Sequence, residues 1–124
     1  MPYDDYAAQR TASLLYHISK DETVASTNKK TVIDFLNFMR AKGLKPATLH
    51  KNLYCLVSYL KILGKKDALT VTKEDIESVL AVLDSSRYAS ATKRNVKITL
   101  KVFYKHFLGE DMYYPQTGSM DKGF

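Results

Sequence analysis

The stretch GLKPATLHKNLYCLVSYLKIL, residues 43–63, is the one from which the fold can be read. A breaker, Gly43, comes first. Pro46 follows at a place suited to the first turn of a helix, where a missing N–H costs nothing. Leu49, Leu53, Leu56, Val57, Leu60 and Leu63 then recur every three or four residues, within about 120° of arc at ~100° per residue. That spacing predicts one long amphipathic helix, closed by Gly64. Lys45, Thr48, Lys51, Asn52 and Tyr59 fall outside the leucine arc, which places them on a polar face.

The same periodicity extends in both directions. A first helix is expected from about Tyr3 to Ser19, with Asp4 and Asp5 at its positive end and Leu14, Leu15 and Ile18 as an apolar edge. Lys20 to Thr27 reads as a connection. Ser26, Thr27 or Asn28 can cap a second helix carrying Val32, Phe35, Leu36 and Met39, which runs to about Lys42. Thr72 and Asp75 have capping-box spacing before Ile76, Val79, Leu80 and Leu83. A last helix is expected from near Ser90 to Leu108, with Val96, Leu100, Phe103 and Phe107 on its core line. From Tyr113 onward the chain reads as loop or linker. No strand-like alternation bounded by turns is seen. The expected fold is therefore all-α, a four-to-five-helix orthogonal bundle. It divides into an amino-terminal helix and connection (1–25), a helical domain (26–110) and a tail (111–124).

Composition narrows the function. The chain has 124 residues, enough for one domain with a modest core, and a net charge of +6. The charge is segregated. Residues 26–66 set nine basic side chains against Asp34, and residues 87–110 set six against Glu110. The intervening residues 67–86 carry five acids and one lysine. Arg94, Lys97, Lys101 and Lys105 repeat at spacings of three and four, flanked by Lys93, and form a basic ridge on the last helix. Like charges so placed repel by roughly 0.2–0.5 kcal/mol per pair, and no acid in that helix relieves them before Glu110. A polyanion would, with counterion release and salt-dependent binding.

Other chemistries find no support in the residues. A single cysteine, Cys55, excludes an internal disulfide. His17, His50 and His106 are scattered, so no metal site is expected. No phosphate loop, HExxH, GxSxG or CxxC occurs, and no cofactor is expected. None of the nine tyrosines has a neighbour that would activate it as a nucleophile. No apolar run approaches the length of a membrane span, and the amino terminus lacks a signal-peptide core. A cytoplasmic, nucleoid-associated protein is expected. A helical protein-interaction bundle with tyrosine anchors, and a DNA-binding module such as a helix-turn-helix repressor, fit the residues as alternatives.

Three segments carry a resemblance. They are NKKTVIDFLNFMRAKGLKPATLHKNLYCLVSYLKILG (28–64), LTVTKEDIESVLAVL (69–83) and SRYASATKRNVKITLKVFYKHFLGE (86–110). In that order and spacing they resemble the amino-terminal, SAM-like core-binding domain of tyrosine recombinases, the phage-integrase and Xer-like family, and most of all its archaeal members. The resemblance implies a domain that packs on one face of double-stranded DNA while a separate catalytic domain closes from the other side. It implies contacts to other recombinase subunits in a synaptic complex, and a monomer for the domain alone. By resemblance, Lys45, Thr48, Lys51 and Asn52 lie early on a helix that approaches the major groove. Thr92, Lys93, Asn95 and Lys97 start a second contact helix. Arg94 and Lys101 join them by helical spacing. The family's arginine, HxxR segment and nucleophilic tyrosine have no counterpart before Phe124. The chain is thus expected to bind DNA without cutting it, with no catalytic residue of its own, and the acidic 67–86 segment to face away from phosphate.

Overall fold

The computed structural model describes residues 2–109, with side chains from residue 5 onward. Five helices follow one another: α1 (Pro2–Lys20), α2 (Ser26–Ala41), α3 (Pro46–Leu63), α4 (Lys73–Asp84) and α5 (Ser90–Leu108). The expected all-α bundle is the fold observed, with five helices. The tail from residue 110, Glu110 included, lies outside the described residues.

The central element is α3, which packs against each of the other four helices. Its leucine stripe accounts for that. Leu53, Leu56 and Leu60 are fully buried, and the core continues through Val32, Phe35 and Leu36 of α2, Ile76 and Leu83 of α4, and Val96 and Leu100 of α5. Burying a leucine-sized side chain contributes roughly 1.5–3 kcal/mol relative to leaving it exposed, so one helix contacting all others supplies most of the cohesion. Aromatic rings join α2 to α5. Phe35 meets Phe103 edge-on at 5.5 Å between centroids, and Phe38 stacks on His106 at 3.7 Å. Phe107 is only half-buried, at the end of the core line.

Several helix ends follow local chemistry. Pro46 occupies the first position of α3, preceded by Lys45 in an extended conformation. Thr72 and Asp75 form a reciprocal capping box at α4. Gly64 stops α3 with φ +75°, a conformation other residues rarely adopt. Its carbonyl accepts a bond from Ala25 N at 3.1 Å, tying the α1–α2 connection to the end of α3. The side-chain cap expected for α2 is absent, and α3 and α5 carry none either. Ala25 stands at its N-cap and no side chain caps it. Ser26 and Thr27 are exposed. Asn28 is turned inward and fully buried, where Nδ2 donates to Lys66 O at 2.8 Å and Oδ1 accepts from Ala68 N at 2.9 Å. An amide that satisfies two backbone groups of the α3–α4 connection leaves none for capping.

Tyr59 corrects a second expectation. It does not lie on the polar face but is fully buried, its hydroxyl 2.8 Å from that of Tyr104 on α5. At the upper edge of the arc, the ring packs inward because its one polar atom finds a buried partner. Cys55 is buried as a free thiol, and burial pushes its pKa up.

Candidate nucleic-acid interface

The two helices that carry the predicted site residues pack against each other, α3 against α5. Their contact leaves a cleft of about 210 Å³ between them. Thr48, Lys51 and Asn52 line it from α3, and Asn95, Ile98 and Thr99 from α5, with Leu44 at one end. Four residues predicted from two separate segments thus converge on one feature. Lys45 stands just before α3 and is exposed, as are Thr48, Lys51 and Arg94. Thr92, Lys93, Lys97 and Lys101 are half-buried along α5 and do not line the cleft.

Asn52 departs from the expectation. It is not a surface side chain but is 3% exposed, at the floor of the cleft, and no protein group donates to its Oδ1. Among the described residues no other buried side-chain nitrogen or oxygen is left without a partner. At ~100° per residue Asn52 sits beside Leu49, Leu53 and Leu56, so packing against α5 covers it.

The basic ridge of α5 is not unrelieved. Asp84, the last residue of α4, places both carboxylate oxygens 3.1 Å from Lys97 Nζ. Its backbone carbonyl accepts from Lys93 Nζ at 2.7 Å. A helix carboxyl end carries partial negative charge, so two lysines gather there for the same reason. The α4 end therefore faces the ridge. Sequence spacing within α5 alone could not show an acid supplied by another helix.

A second cleft, of about 510 Å³, runs between α2 and α5 and shares Leu44 and Asn52 with the first. Its wall is the Phe38–His106 stack, and Lys42 and Lys105 stand at its rim, the Lys42 ammonium 5.4 Å from the Phe38 ring centroid. Neither Phe38 nor Lys42 was singled out as a binding residue by the sequence reading. The alternation of Phe38 and Lys42 at i and i+4 was the available signal.

Among the described residues, no three His, Cys, Asp or Glu side chains gather as a metal site, and no helix is long and apolar enough to cross a membrane. His50 lies against Thr11 of α1, Nδ1 to Oγ1 3.1 Å, and burial, helped by Arg10, lowers its pKa. That pairing belongs to the α1–α3 contact.

Residues 21–113 match the family model described as the phage integrase N-terminal SAM-like domain. The chain belongs to that family. No curated protein and no solved structure matches the chain significantly. The integrase SAM-like module is the non-catalytic amino-terminal part of those enzymes, whose catalytic tyrosine lies elsewhere. Family membership gives this integrase domain a DNA-binding role at the level of the family. The match extends through all of α2 to α5 and leaves out the whole of α1.

Proposed function

We propose that this integrase domain holds duplex DNA against the surface formed by α3 and α5. Lys45, Thr48, Lys51, Asn95, Arg94 and Lys101 are the contact residues, with Thr92, Lys93 and Lys97 at the edge and Asn52 beneath. The observation that carries this is the convergence of Thr48, Lys51 and Asn95 on one cleft, bordered by basic side chains from both helices. Phosphate contacts set register, and the few polar groups between them bias sequence choice. A single module of this kind covers roughly 600–1,000 Å² of protein surface. In the intact recombinase the same surface forms one jaw of a clamp and positions a separate catalytic domain, with further subunits meeting in a synaptic complex. The domain by itself is a monomer.

An NMR titration of the labelled chain with a duplex of 20–30 base pairs, at two salt concentrations, tests this. The expected shifts concentrate on residues 45–52 and 92–101 and weaken at higher salt. Shifts confined to α1 and to the outer face of α4, or none at low salt, would overturn the assignment. Shifts on α1 would favour a protein-interaction bundle, because Tyr6 and Tyr16 are exposed there.

A further inference from the structure

Asn52 is out of place for a core residue. It is nine-tenths and more buried, it neighbours three leucines of the α3 stripe, and its Oδ1 has no donor among the described residues. A buried acceptor without a partner is costly, whereas an apolar side chain of the same shape is not. The cleft above it holds Thr48, Lys51, Asn95 and Thr99 beside the apolar Leu44 and Ile98, so several polar groups converge on it. It is also wide enough for ordered water held by several polar partners.

We infer that Asn52 sets sequence choice, by making the α3–α5 cleft a reader of exocyclic amino groups in the major groove. The inference rests on the DNA-holding surface proposed above and names what that surface discriminates. Duplex laid across α3 and α5 closes the cleft and traps water beneath the base edges. One water hydrogen goes to Asn52 Oδ1. A second goes to an acceptor on the wall, the Thr48 hydroxyl or the Asn95 amide oxygen. The water then has lone pairs left and accepts a hydrogen from the base above. In the major groove the only donors are adenine N6 and cytosine N4, whereas guanine O6 and thymine O4 are acceptors. Every base pair presents one amino group in the major groove, so the discrimination is by strand. The base facing the cleft is adenine or cytosine, and exchanging it for guanine or thymine sets one lone pair against another.

Selection from a pool of randomised duplexes at low salt, with the 124-residue chain and with Asn52→Leu, tests the inference. The unaltered chain is expected to enrich at least one position in adenine and cytosine together. Asn52→Leu is expected to lose that preference. A second measurement leaves the protein intact: the selected adenine is replaced by the purine analogue lacking its amino group. Affinity should fall about five- to tenfold, the scale of one lost base contact, and the analogue should cost Asn52→Leu nothing. An identical preference in both proteins, duplex binding without any amino-versus-keto position, or enrichment of guanine and thymine instead overturns the inference and leaves the DNA-holding surface standing. Failure to bind any duplex at low salt overturns both.

Discussion

The hydroxyl of Tyr59 on α3 lies 2.8 Å from the hydroxyl of Tyr104 on α5, and both rings are buried. This bond sits inside the packing that sets α3 against α5. Removing one hydroxyl strands the other, whereas removing both leaves two apolar rings. Tyr59→Phe and Tyr104→Phe are each expected to destabilise by about 1–3 kcal/mol, and the double variant by less than either single one. Urea unfolding of the four proteins measures this, and additive losses would refute it.

The same pair makes the fold sensitive to alkali. Burial pushes the Tyr59 pKa up to about 12 and that of Tyr104 up as well. A raised pKa means the folded state resists losing a proton that the unfolded chain gives up near pH 10. The tyrosine contribution is therefore complete below about pH 10 and is lost as pH rises through the folded-state value. Stability followed from pH 8 to 12 should fall from about pH 10. The doubly substituted protein should lose less over the same interval.

Asn28 ties two connections of the bundle together. Its amide satisfies Lys66 O and Ala68 N at once, joining the start of α2 to the α3–α4 connection. Asn28→Asp keeps the acceptor but loses the donor, and it buries a charge. Asn28→Ala loses both bonds. Each is expected to cost about 2–4 kcal/mol, more than an ordinary surface substitution. A thermal melt of Asn28→Ser, with a side chain too short to reach both groups, should fall with them rather than with the unaltered chain.

Asp84 offsets part of the charge of the proposed DNA face, through Lys97 and Lys93. The pair is partly exposed, so the fold loses little when it is removed, about 0–1 kcal/mol. Duplex affinity should respond in the opposite direction. Asp84→Asn is expected to bind duplex more tightly at low salt, with the gain shrinking as salt rises. Anisotropy titrations at three salt concentrations read this directly. Unchanged or weaker binding would place Asp84 outside the field felt by the DNA.

How far the sequence could be read depended on whether one helix or two were needed. The leucine stripe of α3, Pro46 before it and the Thr72–Asp75 box are written within single segments, and each appears in the structure as spacing implied. Asn28 and Tyr59 were misjudged because their partners lie on other elements, the α3–α4 connection and α5, and Asp84 likewise meets Lys97 of another helix. Asn52 illustrates the limit best. Its position on the wheel is at the border of the apolar arc, and only the approach of α5 turns a border residue into a floor. The family resemblance put Thr48, Lys51 and Asn95 on two contact helices, but no spacing relates residue 48 to residue 95, so their convergence is visible only in the fold.

Lys51 and Lys65 separate contact from general charge. Both are exposed lysines, but Lys51 lines the α3–α5 cleft whereas Lys65 lies in the α3–α4 connection. If the net charge of +6 alone drew DNA, neutralising either would weaken binding alike. A lysine that touches phosphate releases a condensed counterion on binding. Its loss lowers the dependence of log affinity on log salt by about one unit of slope. Lys51→Ala is expected to show that change and Lys65→Ala to leave the slope as it was, when both are titrated with one duplex across about 50–200 mM salt. Equal slopes for the two variants would move the DNA off the α3–α5 surface.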